Sequence, residues 1–287
     1  MISGVGKDAR DRVLSVTAAK PRVIDVGGVA TSILEAGDGP PLLLLPGGVE
    51  SGAAVWAPVI DRLATSHRVV APDIPGLGES EPIAALDAGA FSSWLRGTIQ
   101  ALDMDRPRVV AHSLGGSLAA RFAVDASEAL SGLVVYAAPG VGPYRMPVRL
   151  MYSAIRFSLR PSAANSERFD RFLLFDLDAT RALHASWYEA FDEYNRDKAA
   201  VKQVKKTMNR LVSLGTKRIP DEELSRIHEP VHLIWGRHDR MVPLTTATAA
   251  AERHGWPLHV VEDAAHAPHL EQPEAFLEVL FPILRNS

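Results

Sequence analysis

The chain has 287 residues, 47% of them apolar and 23% charged, with a formal net charge of -3 and no cysteine. That is ordinary globular composition, long enough to bury a sizeable core in one large domain or two small ones. It excludes disulfides, thiolate metal sites and cysteine nucleophiles, and the mixed distribution of charges leaves no basic footprint for nucleic acid.

The opening stretch MISGVGKDARDRVLSVTAAKPR spreads its charges evenly and has no apolar core of signal-peptide length. Residues 1–22 are expected to form a short N-terminal extension, loose rather than packed, of a cytoplasmic protein. Nowhere do eighteen apolar residues run together, so no membrane span is expected. Six β-rich segments follow: Val23 to Val26, Thr31 to Glu35, Pro41 to Leu45, His67 to Asp73, Arg108 to His112 and Leu130 to Ala137. The first two, joined through Gly27-Gly28, read as an edge hairpin. Between the later ones lie helical patterns around Val55 to Ala64, Phe91 to Leu102 and Leu114 to Val124. Such alternation predicts a mostly parallel sheet covered by helices on both faces.

From about Gly140 to Ile227 strands give way to four apolar stripes at helical spacing: Val148, Met151, Tyr152, Ile155, Leu159; then Phe169, Phe172, Leu173; then Leu183, Trp187, Tyr188, Phe191; then Val201, Val204, Met208, Leu211. Each stripe is expected to be the buried face of a helix. Strands resume at Val231 to Trp235 and Leu258 to Val261, with helices from about Thr245 to His254 and from Pro273 to Leu284. Pro273 suits a first helical turn, where its missing N–H is not needed. The expected division is therefore a core of residues 23–139 and 228–287 with an all-helical lid of residues 140–227 over one end of the sheet.

One hydroxyl stands at a strand-to-helix corner, in VVAHSLGGSLAARFAV. Ser113 has Ala111 two positions before it and Gly115 two after, small enough for a strained turn that lifts a side chain clear of the backbone. The first amides of the new helix lie unpaired beside it, at the positive end of the helix dipole. A plain helix cap is the bland alternative. Ligands of such sheets bind beyond the carboxyl ends of the strands. There are only a few acids and bases there, among them those of GRHDRMVP after Trp235 and EDAAHAPH after Val261. A serine hydroxyl needs a base, and an imidazole base needs a group to fix its tautomer. Asp239 and His266 can fill these roles in the order Ser, Asp, His. Asp263 is the fallback acid. His238 is expected to face solvent, His112 and His269 to be structural, and Asp73 to brace a turn.

The segments LLLLPGG, APDIPGLGES, AHSLGG, IWGRHDRMVP and AAHAPHLEQPEAF, in this order, resemble the α/β-hydrolase superfamily, in its serine-esterase and lipase-like branch with a helical cap. The resemblance spans roughly Arg22 to Leu284. It implies an eight-stranded, mostly parallel sheet, with Ser113 as nucleophile, His266 as general base and Asp239 as orienting acid. It also implies an oxyanion hole of the Leu114 and Gly48 backbone N–H groups, and no cofactor or metal. Two positions depart from the common pattern: Pro46 replaces the histidine that often opens the oxyanion loop, and Ala111 stands at the first elbow position.

The activity implied is hydrolysis of a small-molecule carboxylic ester through an acyl-enzyme. Carbon–carbon bond hydrolysis, lactone hydrolysis and a ligand-binding role with little turnover are the alternatives on the same scaffold. Tyr144, Met146, Phe157, Trp187 and Phe191 favour an apolar substrate, although most of them are expected in the core of the lid. Arg145 and Arg149 are expected at the solvated surface rather than on a substrate carboxylate. Gly76-Leu77-Gly78 reads as a turn and not as a phosphate loop.

Overall fold

The computed structural model describes residues 4–285. The first three residues of the expected extension and the last two of the chain lie outside the described residues. Residues expected to be a loose leader instead begin with a helix, α1 (Lys7–Leu14), whose Ala9 and Val13 are buried. The spacing of those two, four apart, gives α1 one apolar side to lay against the protein. Strands β1 (Lys20–Val26) and β2 (Val29–Ala36) pair antiparallel around Gly27 and Gly28, both with positive φ, as a tight hairpin requires.

The chain continues through β3 (Pro41–Leu45), a short turn of helix at Gly52–Trp56, α2 (Ala57–Leu63), β4 (Arg68–Pro72) and α3 (Ala88–Ala101). The Asp87 carboxylate caps α3 by accepting the Ala90 N–H. Next come β5 (Arg108–His112), α4 (Ser113–Ala126) and β6 (Gly132–Tyr136). Four helices follow, α5 (Val148–Leu159), α6 (Ala163–Leu173), α7 (Leu177–Ala200) and α8 (Lys202–Gly215). After a single turn, α9 (Asp221–Leu224), the sheet resumes with β7 (Val231–Gly236), α10 (Leu244–His254), β8 (Leu258–Val261), α11 (Pro268–Glu271) and α12 (Pro273–Arg285).

The eight strands form one sheet in the order β1-β2-β4-β3-β5-β6-β7-β8, antiparallel over β1, β2 and β4 and parallel beyond. This matches the sheet expected from the alternation. Central strands are apolar on both sides because helices cover both faces. Leu43 and Leu45 of β3 pack into one core and Leu42 and Leu44 into the other. Among the described residues no helix is long and apolar enough to cross a membrane.

The expectation that each stripe is a buried face fails in part: Phe169, Phe172 and Leu173 of the second are only half-buried, on a helix whose buried residues are Asn165 and Ser166. The stripe Val148, Met151, Tyr152, Ile155 and Leu159 is the exposed face of α5, with exposures of 45% at Met151 to 77% at Leu159. The helix instead buries its opposite side, Leu150, Ser153 and Phe157. Periodicity identifies an apolar face and says nothing of what covers it. In the fourth stripe Val204 and Leu211 are fully buried as expected, and in the third Trp187 and Tyr188 are buried while Leu183 is exposed.

Candidate active site

Ser113 begins α4 at the end of β5 with φ of 50°, a conformation that L-residues other than glycine seldom adopt. Its surroundings hold it there. A Cβ at Gly115 would run into the Pro46 carbonyl oxygen, and one at Gly116 would lie 2.9 Å from the Ala111 oxygen, so α4 can press against β3 and β5 only with glycines at these places. The Ser117 hydroxyl accepts the Gly140 N–H at 2.9 Å and pins the loop after β6 beside the corner.

The β7 and β8 loops approach one another closely. Arg237 and His238 N–H groups donate to the Val261 and Ala264 carbonyls, and a Cβ on Gly236 would strike the backbone of Ala264 and Ala265. That approach brings Asp239 and His266 together. His266 Nδ1 lies 3.0 Å from Asp239 Oδ2, and its Nε2 lies 3.0 Å from Ser113 Oγ. A carboxylate only accepts, so Nδ1 carries the proton and the Nε2 lone pair faces the serine. The other Asp239 oxygen accepts the Met241 and Val242 N–H groups, each at 2.8 Å, which fixes its plane. All three side chains are buried, at 4–5% exposure. An imidazole so oriented can take the serine proton, and the carboxylate can hold the resulting positive charge.

The other candidates fall where the sequence placed them. His238 is exposed and stacks on Phe175; Asp263 is exposed; Asp73 accepts the Ala53 and Glu79 N–H groups across its turn. His112 Nε2 donates to the His266 carbonyl oxygen at 2.9 Å. Burial, with the His266 and His269 rings beside it, keeps the His112 imidazole neutral. His269 lies against Tyr136, Trp56 and Phe276, and burial pushes it down to about 3. Gly48 and Leu114 both line the cavity above Ser113.

Sequence reasoning passed over Glu271. Its Oε1 accepts the N–H groups of Ala265 and Ala267, on either side of His266, at 3.0 and 2.9 Å, while Oε2 accepts the Phe175 N–H from the chain between α6 and α7. The His266 N–H itself donates to the Leu173 carbonyl at the end of α6. The signal was an acid just past the histidine in HAPHLE, but nothing in a linear sequence separates a brace from a solvated charge.

The cavity measures about 360 Å³ and is roofed by the inserted helices. Tyr144, Met146, Phe157 and Phe191 line it, where most had been expected in the core of the lid; Trp187 alone of that set does not. Tyr144 and Met146 lie in the segment that leads into α5, while Phe157 comes from α5 and Phe191 from α7. Its polar wall includes Glu50, Asp170, Asn195 and Asn209, and among the described residues no arginine or lysine lines it. Burial pushes the carboxyls of Glu50 and Asp170 each up to about 7. Tyr188 donates to Asp170 at 3.0 Å, and the Asn195 side chain hydrogen-bonds both Glu50 and the Ser51 N–H. Arg145 and Arg149 are exposed and outside this wall. Among the described residues no group of three His, Asp or Glu side chains is arranged to hold a metal ion.

The sequence model of the alpha/beta hydrolase family matches residues 42–279. A 2-hydroxy-6-oxo-2,4-heptadienoate hydrolase of Pseudomonas putida is 28% identical over 279 residues, covering 93% of this chain and 96% of that protein. A pimeloyl-[acyl-carrier protein] methyl ester esterase of Aeromonas hydrophila is 26% identical over 265 residues, covering 88% and 98%. Among solved structures, a carboxylesterase from Bacillus subtilis superposes with a TM-score of 0.82 at 23% identity, over 98% of each chain.

Proposed function

The chain belongs to the alpha/beta hydrolase family, and on that premise we propose that it is a serine hydrolase cleaving carboxylic esters of small to medium apolar substrates. In this reading His266 takes the Ser113 proton as Oγ attacks the ester carbonyl. The Leu114 and Gly48 N–H groups receive the oxyanion, each donor contributing on the order of 3 kcal/mol to lowering the barrier. The tetrahedral intermediate expels the alcohol, which leaves with the proton from His266. A water deprotonated by His266 then attacks the acyl-enzyme, and the acid departs as Ser113 regains its proton. Residues 23–139 and 228–287 make the hydrolase core and residues 140–227 the cap. A chain without cysteine suits the reducing cytoplasm.

The observation that carries the ester over its competitor is the cavity wall. Hydrolysis of a carbon–carbon bond is favoured by the similarity to the Pseudomonas putida protein, whose substrate is by its name a carboxylate. A carboxylate entering this cavity would meet Glu50 and Asp170 and no cationic side chain. As Glu50 and Asp170 lose their protons through about pH 7, the anions in this low-dielectric space repel a substrate carboxylate, and below that pH the neutral carboxyls still offer it no counter-charge. A neutral ester meets no such barrier.

The test offers the purified protein a series of p-nitrophenyl esters from acetate to long acyl chains alongside a 2-hydroxy-6-oxo-dienoate, with Ser113→Ala as control. Ester turnover that disappears in the variant, at a kcat/KM well above that for the dienoate, is the expected result. The reverse order of preference overturns the ester assignment.

A further inference from the structure

The apolar stripe of α5 lies open on the outer surface of the cap. At about 100° per residue, Val148, Met151, Tyr152, Ile155 and Leu159 fall within an arc of roughly 100°, opposite the buried Leu150 and Phe157. Arg149 and Arg156 stand on one shoulder of this arc, and Arg145 and Arg160 flank the helix; all four are exposed. No acidic residue occurs between Glu128 and Glu167, although the whole chain is net negative. The ion pairs of the neighbouring helices run instead through Arg171, Arg181 and Arg196. Beside the stripe, Arg149, Arg168 and Arg171 edge an open groove floored by Val148, Tyr152 and Phe172.

We propose that α5 is a docking surface for an anionic lipid bilayer. The stripe enters the boundary between headgroups and acyl chains, and the arginines hold lipid phosphates. An amphipathic helix with a basic shoulder and no acid is the chemistry that such a surface selects. The principal competitor is a second copy of the chain, and charge disfavours it, because a two-fold contact through α5 sets arginines against arginines with no acid on either helix. The stripe is also continuous with the cavity, since Met151, Ile155 and Leu159 belong to both. Docking would therefore turn the cavity mouth toward the lipid. The surface does not depend on which bond Ser113 breaks.

The test is co-sedimentation of the full chain with vesicles of phosphatidylcholine alone and of phosphatidylcholine with phosphatidylglycerol. Binding to the second and not the first, reversed by high salt, is expected. Each arginine near an anionic surface is worth about fivefold in partition, so Arg149→Glu with Arg156→Glu should weaken binding by about twenty-five-fold or more. Val148→Asp with Tyr152→Asp should abolish it. Both pairs avoid the catalytic cavity and should keep wild-type melting and hydrolysis of a soluble ester, while Ser113→Ala should bind vesicles as the wild type does. Indifference to phosphatidylglycerol, or full retention by either pair, overturns the proposal. A wild-type dimer that Val148→Asp with Tyr152→Asp dissociates would overturn it in favour of the second copy. Loss of ester turnover alone leaves the vesicle result standing.

Discussion

Asp239 illustrates how much one carboxylate can carry without touching a substrate. Replacing it by asparagine keeps the shape but presents an amide that can donate to Nδ1, so the imidazole is free to take the wrong tautomer, with its proton aimed at Ser113. Asp239→Asn should lower kcat about 10⁴-fold with little change in KM, as steady-state kinetics on a p-nitrophenyl ester will show. Ser113, Asp239 and His266 were legible because three chemical types fell just beyond three strand ends in a recognisable order. Glu50 and Asp170 were not, since their character comes first from burial, with Asp170 raising Glu50 further and Asp192 and Glu167 raising Asp170. Their carboxyls sit at about 7, above ordinary values of 4.5 and 3.8. The folded chain thus keeps protons that the unfolded chain has already released, so this contribution to stability is whole below about pH 4 and is lost as pH rises toward and through 7. Melting temperature should fall across that window, and Glu50→Gln with Asp170→Asn should flatten the fall. For an apolar ester, KM should rise above about pH 7 in the wild type as the wall becomes charged, and stay level in the double variant.

At the scale of elements, the strands and the helices between them were readable because each satisfies a local rule: apolar runs for covered strands, a 3.6-residue rhythm for helices, Gly27-Gly28 for the hairpin. What the rhythm of α5 could not say was which neighbour, protein or something else, its apolar face would meet. The loop carrying His266 was similarly half legible. The histidine was visible, yet its position depends on Glu271, five residues on in the chain, accepting three backbone N–H groups from two separate segments. Glu271→Ala leaves those donors without partners and frees the loop. Displacement of a reacting group by even an ångström costs on the order of a hundredfold in rate. We expect Glu271→Ala to lower kcat by about ten- to a hundredfold, and Glu271→Gln, which keeps one oxygen for Ala265 and Ala267, to recover most of that loss. A variant that merely unfolded would show instead a reduced active fraction by titration of Ser113 with an irreversible phosphonate, at unchanged turnover per titrated site.

For the whole molecule, the cap is joined to the core at several places, α8 on α4 among them, and two of the links were not disclosed by the sequence. One is the His266 loop, through Leu173 and Phe175. At the other, Tyr194 and Lys198 of α7 reach Glu79 of the core at 2.9 and 2.7 Å, and α1 packs over the same end of α7. Scattered charges made α1 resemble a loose leader because only two of its residues, Ala9 and Val13, are buried, too few to stand out in so polar a segment. Their burial nonetheless fixes the helix. The Arg12–Glu193 ion pair between α1 and α7 is solvent-exposed on both sides and screened by water, so Glu193→Gln should leave melting almost unchanged. Val13→Asp is different, because it forces a carboxylate into a fully buried site. A cost of about 3 kcal/mol follows, equivalent to a fall of about 5–10 °C in Tm for a chain of this size. If α1 fastens the cap, limited proteolysis of Val13→Asp below its Tm should cut first within α6 and α7 while the sheet stays intact. Simultaneous digestion of cap and core would mean that α1 supports the fold generally and is not a clamp on one end of the lid.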